Sequence, residues 1–242
     1  MNLNFKKQKK LSVLILCGGK GKRLRPLTKD LPKPLIKIRK KEILGYIIDH
    51  LKIYGYNEIL IASGYKHKLI NKFFSNNYRE CKIKVIETSP NDDIIKRIQS
   101  IVSFIKEDLL ICYGDTLADI DLKKLYNFHI KNKCLATISS YEMRSDFGIL
   151  KIKNQTKIIE KYLEKPALNV WFNIGYIILK KEIIKKTFKF KTFENFLKYL
   201  VKNKLAKSYK HRGLHITINT VKQLDHAKKL LSVFEKKIKT NE

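Results

Sequence analysis

Arginine is scarce in this chain: seven stand among 52 Lys and Arg residues, and the formal net charge is +30. Sequence-specific nucleic-acid recognition leans on arginine, often with aromatic interleaving. A lysine-rich solvated surface is therefore the plainer reading, and a nucleic-acid partner is disfavoured. The field would still favour a phosphorylated small molecule. Cysteine is also sparse. Cys17, Cys81, Cys112 and Cys134 are widely separated and form no CxxC, which disfavours a disulfide framework or a zinc site and points to a reduced, cytoplasmic chain. No apolar run approaches the length of a membrane span. Lys6, Lys7, Lys9 and Lys10 precede the apolar run Leu11–Cys17 and imitate a secretory signal. The run is short, however, and Leu16 stands where cleavage needs a small residue, so a signal or anchor is rejected. The histidines His50, His67, His129, His211, His215 and His226 show no HExxH spacing and read as structural or surface residues. Repeats and low-complexity linkers are missing too. What remains is a globular composition, 44% hydrophobic over 242 residues, expected to form one domain over residues 11–235 behind a basic tail of residues 1–10.

Strand-like and helix-like runs alternate. Leu11–Leu16 is continuously apolar and runs into Gly18, Gly19 and Gly21, the pattern of a buried parallel strand ending in a tight loop. Ile43–Tyr54 has helical spacing. Glu58–Ser63, Ile83–Glu87 and Asp108–Tyr113 read as strands, and Lys68–Phe74, Ile94–Ile105 and Leu122–Lys131 as helices. Further on, Leu135–Tyr141, Gly148–Ile152 and Phe172–Leu179 read as strands, with helix from Val221 onward. This βαβα order predicts an α/β fold with a Rossmann-like, doubly wound, mostly parallel sheet.

Four constellations carry chemistry. The first is Gly18-Gly19-Lys20-Gly21-Lys22-Arg23-Leu24-Arg25-Pro26-Leu27-Thr28, followed by Leu31-Pro32-Lys33-Pro34. A bare glycine loop is only a turn. Here backbone N–H groups can approach phosphate oxygens, Arg23 and Lys33 can neutralise them, and two prolines restrain Lys33. Neither the Walker pattern nor GxGxxG is present, which disfavours a P-loop or a dinucleotide. The second is Tyr113-Gly114-Asp115 at a strand end, where a carboxylate can hold Mg²⁺ between phosphates; Asp119 and Asp121 read as helix-capping and structural. The third is Glu164-Lys165-Pro166, which by itself reads as a surface ion pair of little consequence. The fourth is Asn219, read equally as a helix cap or a metal ligand through its carbonyl oxygen.

The segment GGKGKRLRPLT with LPKP resembles the signature of the sugar-phosphate nucleotidyltransferases, and the likeness runs from about Leu11 to about Leu231. The wording YGDTLADIDL is most similar to the glucose-1-phosphate cytidylyltransferase branch. The resemblance implies a fold of nucleotide-diphospho-sugar transferase type and an NTP held by Leu16, Cys17, Gly18, Gly19, Gly21, Lys22, Arg23, Thr88 and Gly114. It makes Lys33, Arg23 and Asp115 catalytic, Asp115 and Asn219 the Mg²⁺ ligands, and Phe147, Gly148, Glu164, Lys165 and Asn173 the acceptor contacts. The implied reaction moves CMP from CTP to a sugar 1-phosphate in nucleotide-sugar and capsule or cell-surface polysaccharide biosynthesis. Phosphoglutamine as acceptor, a guanylyltransferase for a heptose 1-phosphate, and a degenerate nucleotide-binding regulator stand as alternatives, and homo-oligomerisation is left open. Three departures from the family stand out. Asn219 stands where the cytidylyltransferase-like branch often has a metal-binding Asp, and it supplies no charge. Ile174 replaces a small residue, which implies a different acceptor shape. The second glycine-rich segment is replaced by Glu87-Thr88-Ser89-Pro90-Asn91-Asp92-Asp93-Ile94-Ile95-Lys96-Arg97, which leaves base selectivity open.

Overall fold

The computed structural model describes residues 11–239; the basic tail of residues 1–10 lies outside them. Along the chain run β1 (Ser12–Cys17), a short ribbon of β2 (Lys37–Ile38) and β3 (Lys41–Glu42), α1 (Ile43–Ile53), β4 (Glu58–Ser63), α2 (His67–Asn76), β5 (Lys82–Glu87), α3 (Ile94–Gln99), β6 (Leu109–Tyr113), β7 (Thr116–Ala118) and α4 (Leu122–Lys131). Then follow β8 (Ala136–Arg144), β9 (Ile149–Ile152), β10 (Ile159–Leu163), β11 (Ala167–Leu179), α5 (Lys181–Ile184), α6 (Phe193–Lys202), β12 (Ala206–His211), β13 (His215–Thr217) and α7 (Val221–Lys239).

Seven strands form one sheet in the order β12-β8-β11-β6-β1-β4-β5. β6, β1, β4 and β5 are mutually parallel, and β11 runs antiparallel to both of its neighbours. The fold is α/β with a mostly parallel sheet, as expected. Successive strand side chains point to opposite faces, so a strand buried on both faces must be apolar throughout. In β1, Val13, Ile15 and Cys17 enter one core with residues of α1, α4 and α7. Leu14 enters the other, with residues of α3, α5 and α6. No helix of the described residues is long and apolar enough to cross a membrane, and all four cysteines are free and buried.

Helix starts follow local capping chemistry. The Asp93, Asp121 and Thr192 side chains accept from Ile95 N, Lys124 N and Asn195 N at the starts of α3, α4 and α6. The single helix expected over Ile94–Ile105 is broken: α3 ends at Gln99 and a 3₁₀ turn covers Val102–Phe104. Ser100 Oγ donates to the Arg97 carbonyl at 2.9 Å, a local bond that competes with helix continuation. Ile174 is also corrected. Its side chain is 2% exposed and lies in the core, so it does not shape an acceptor pocket.

Three imidazoles carry a pH dependence. His50 on α1 lies edge-on to the rings of Tyr54, Tyr176 and Phe234. Burial lowers His50, His129 and His215 to about 4. In the unfolded chain an imidazole protonates near pH 6.5. Between pH 6.5 and 4 the unfolded state therefore binds more protons, and stability that is full above 6.5 is lost as pH falls. Urea midpoints should decline through that window, and His50→Phe should decline less steeply than the parent. An identical slope in the variant would remove His50 as a contributor.

Candidate active site at the strand ends

Ligands of doubly wound sheets sit outside the carboxyl ends of the strands. β1 and β6 are adjacent and pair Leu16 with Tyr113, so Gly18 and Asp115 emerge side by side. The approach is close. Gly114 N donates to the Leu16 carbonyl at 3.0 Å, and a Cβ at Gly114 would stand 2.7 Å from both Cys17 Sγ and that carbonyl oxygen. Only glycine lets the Asp115 segment pass there. Burial, followed by the nearby Asp115, pushes the Cys17 thiol well above its ordinary range, so Cys17 is a wall and not a nucleophile.

The glycine loop then turns through Gly21 in left-handed geometry (φ 59°) into a 3₁₀ turn over Lys22–Leu24. Thr28 Oγ1 donates to the Gly21 carbonyl at 2.9 Å. Tyr65 N donates to the Gly18 carbonyl at 3.1 Å, and Lys20 Nζ donates to Asn91 Oδ1 at 2.7 Å. Pro32 caps a second 3₁₀ turn, Lys33–Leu35, which buries Lys33 to 6% exposure.

The ammonium of Lys33 is the hub. It donates to Asp115 Oδ2 at 2.6 Å and to Asn219 Oδ1 at 3.0 Å. Arg23 Nη2 also donates to Asn219 Oδ1, at 3.1 Å. Asn219 arrives because β13 pairs antiparallel with β7, placing Thr217 opposite Thr116. The cap belongs to its neighbour: Thr220 Oγ1 accepts from Gln223 N at 3.2 Å, while Asn219 N donates to Gln223 Oε1 at 2.7 Å. The Asn219 side chain is thereby left to face the cations.

These groups line a cavity of about 250 Å³ with Leu16, Cys17, Gly19, Gly21, Lys22, Leu24 and Pro34. Of the expected nucleotide contacts, Gly18 and Gly114 lie buried behind this wall. Thr88 is 8% exposed and donates to the Ser63 carbonyl at 2.8 Å. Arg97, the last residue of the segment that departs from the family, donates to the Thr88 hydroxyl in turn, and neither residue lines the cavity.

The expected acceptor contacts gather elsewhere. Phe147 and Gly148 occupy the turn between β8 and β9, and Glu164 and Lys165 the turn between β10 and β11. Ser145 N donates to the Pro166 carbonyl at 3.0 Å and brings the two turns together. Tyr162 packs on Gly148 and donates to Glu164. Phe147 is 77% exposed, and the Lys165–Glu164 ion pair at 3.8 Å is open to solvent. None of these four lines the 250 Å³ cavity. Asn173 is nearer, since its Nδ2 donates to Tyr113 Oη at 3.3 Å.

Residues 12–217 match the family model for nucleotidyl transferases. The chain belongs to the nucleotidyl transferase family. It is 33% identical over 199 residues to the D-glycero-alpha-D-manno-heptose 1-phosphate guanylyltransferase of Campylobacter jejuni, covering 78% of this chain and 87% of that one. It is 29% identical to the probable glucose-1-phosphate cytidylyltransferase of Bacillus subtilis, covering 91% and 96%. The crystal structure of HddC from Yersinia pseudotuberculosis shares the fold, with a TM-score of 0.72 at 24% identity over 92% of this chain and 100% of that one.

Within this nucleotidyl transferase, Lys33→Ala removes the hub and should lower turnover at least a hundredfold, each tenfold being about 1.4 kcal/mol of barrier. Pyrophosphate release by a variant with an unchanged circular dichroism spectrum measures it. Near-parental turnover would take Lys33 out of the chemistry.

Proposed function

We propose that the chain transfers a nucleoside monophosphate from an NTP to a sugar 1-phosphate and releases pyrophosphate. The observation that carries this reading is the convergence of Lys33, Arg23, Asp115 and Asn219 on one cavity beside a glycine loop. An acceptor phosphate oxygen attacks the α-phosphorus, and the bond to the pyrophosphate oxygen breaks. A phosphate monoester is already ionised near neutral pH, so no general base is needed; positioning and charge neutralisation suffice. Lys33 and Arg23 meet charge on the α-phosphate and the departing pyrophosphate. Glu164 and Lys165 hold the sugar and its phosphate.

Mg²⁺ fits the donor set. Asp115 offers a carboxylate and Asn219 a carbonyl oxygen, both turned to the point that the Lys33 ammonium now bridges. Magnesium takes one or two protein oxygens and completes its octahedron with phosphates and water. Bound there, it would neutralise the triphosphate and acceptor oxygens.

The YGDTLADIDL wording makes CTP the first donor to test. GTP with a heptose 1-phosphate is the second reading, favoured by the 33% identity to a relative of that name. A pyrophosphate-release screen of four NTPs against hexose, heptose and amino-acid phosphates should give one productive pair. No release with any pair would leave a nucleotide-binding regulator. Asp115→Asn should lose most activity and shift its magnesium titration to higher concentration; an unchanged titration removes Asp115 as a metal ligand. Lys165→Ala should raise the acceptor KM about tenfold or more, the worth of one charge-assisted contact, while leaving the NTP KM nearly unchanged. An exposed pair of no consequence would change neither.

A further inference from the structure

The glycine loop depends on residues outside itself for its shape. Residues 18–29 leave the buried end of β1 and supply Gly19, Gly21, Lys22, Arg23 and Leu24 to the cavity wall. Much of the stretch is wet, with Lys22, Arg23, Arg25 and Lys29 all exposed, and a segment with few buried contacts opens easily. Two contacts of its own restrain it. Leu24 enters the core, and Thr28 closes onto the Gly21 carbonyl. Neither ties the loop to the sheet at both of its ends.

Tyr65 does. β4 lies beside β1 and pairs Ser63 with Cys17, so the chain after β4 emerges against the root of the loop. Gly64 permits the close approach, since a Cβ there would lie 2.9 Å from the Gly18 carbonyl oxygen. The Tyr65 N–H then donates to that carbonyl at 3.1 Å. Its hydroxyl serves the far end of the loop, donating to the Lys29 carbonyl at 2.5 Å and lying 3.2 Å from the Thr28 carbonyl. Among the described residues no backbone N–H donates to either of these two carbonyls. Lys66, in left-handed geometry (φ 55°), turns the chain directly into α2, whose Ile70 is buried in the core. Tyr65 therefore stands at a corner fixed by β4 on one side and α2 on the other. It does not line the cavity, so any effect it has on the site passes through the loop.

We propose that Tyr65 is a positioning residue for the nucleotide, holding the glycine loop in its binding shape before the triphosphate arrives. This rests on the nucleotidyl-transfer reading of the site. A loop that is competent for only part of the time weakens apparent affinity by that fraction, and ordering it beforehand removes the cost. Loss of the tether therefore falls on NTP binding. Turnover of the bound complex, in which the phosphates themselves order the loop, is spared. Acceptor binding is spared as well, because its expected contacts at Phe147, Gly148, Glu164 and Lys165 stand on turns that share no hydrogen bond with Tyr65.

Tyr65→Phe, which deletes the hydroxyl and keeps the ring, is the test. Calorimetry with the magnesium complexes of CTP and GTP should show the productive nucleotide binding about fivefold to tenfold more weakly, the worth of one hydrogen bond. Steady-state kinetics should show the same rise in the NTP KM, with kcat and the acceptor KM nearly unchanged. Hydrogen exchange read by mass spectrometry should quicken over residues 18–29 and nowhere else. An unchanged NTP affinity, or unchanged exchange over the loop, overturns the assignment. Equal losses in kcat and both KM values, or faster exchange throughout the chain, overturn it as a scaffold role. The parent protein supplies a test that needs no variant: its loop amides should already be protected before NTP is added. A parental loop that gains its protection only on binding NTP overturns the tether while leaving nucleotidyl transfer intact. A parent that binds no NTP overturns the nucleotidyl-transfer reading itself, and this inference with it.

Discussion

An ammonium as enclosed as that of Lys33 is tolerable only where negative charge or carbonyl oxygen meets it, and this requirement organises the active end of the molecule. Asp115 lies 82 positions away in sequence and Asn219 lies 186 away. They converge because β6 lies beside β1 and because β13 pairs with β7 directly after Asp115. A second buried cluster holds that pairing. Asp119 accepts from Leu214 N at 2.6 Å, faces His211 Nε2 at 2.9 Å and meets Lys237 Nζ at 3.1 Å. It thus clamps β7, the approach to β13 and the end of α7 together. The hydrogen bonds from His211, Lys237 and Leu214 outweigh burial and hold its carboxyl below the ordinary carboxylate range. An aspartate outside the chemistry therefore sets where Asn219 stands.

The same convergence explains how the proposed site could change partners. Lys33 and Asp115 neutralise each other at 2.6 Å. A triphosphate brings negative charge to the glycine loop, and unit charges about 4 Å apart near a protein surface interact by about 4 kcal/mol. On the proposed reading, such a charge would compete with the carboxylate for the ammonium, and a carboxylate so released would be open to a cation. Until then the burial of the pair costs less than that of an isolated charge.

Elements buried on two faces, or capped by a short polar side chain, were legible in the sequence. β1, β6, α4 and α7 follow continuous or periodic apolar runs, and the Asp121 cap of α4 is visible as a residue type. Elements whose side chains stay wet were not. β10 reads IEKYL, with four of its five residues exposed, and the edge strand β12 reads AKSYKH with its lysines outward, as edges often are. Neither presents the alternation that marks a half-buried strand. Among site residues, the loop lysine, arginine and aspartate were legible because their types and spacing carry the chemistry. Asn219 was ambiguous with a cap until Thr220 proved to do the capping. Arg97 was visible only as the last residue of the segment that departs from the family, and its type says nothing about whether it turns inward. The available signal was the neighbouring pair Gly18 and Gly64, whose missing side chains make room for it.

The two halves of the proposed site differ in the same physical way. The nucleotide half is built on the ends of buried strands, with Lys33, Thr88 and Arg97 all below 9% exposure, so its geometry follows from the core and any change there is felt through packing. The acceptor half rests on the β9–β10 ribbon and its turns, where Leu150, Ile152, Ile159 and Tyr162 are all exposed. A two-stranded ribbon is marginal by itself, and loops carried on a rigid scaffold tolerate change. The acceptor half can therefore vary without cost to the core. That division fits a family match over residues 12–217 that spans relatives named for different sugars.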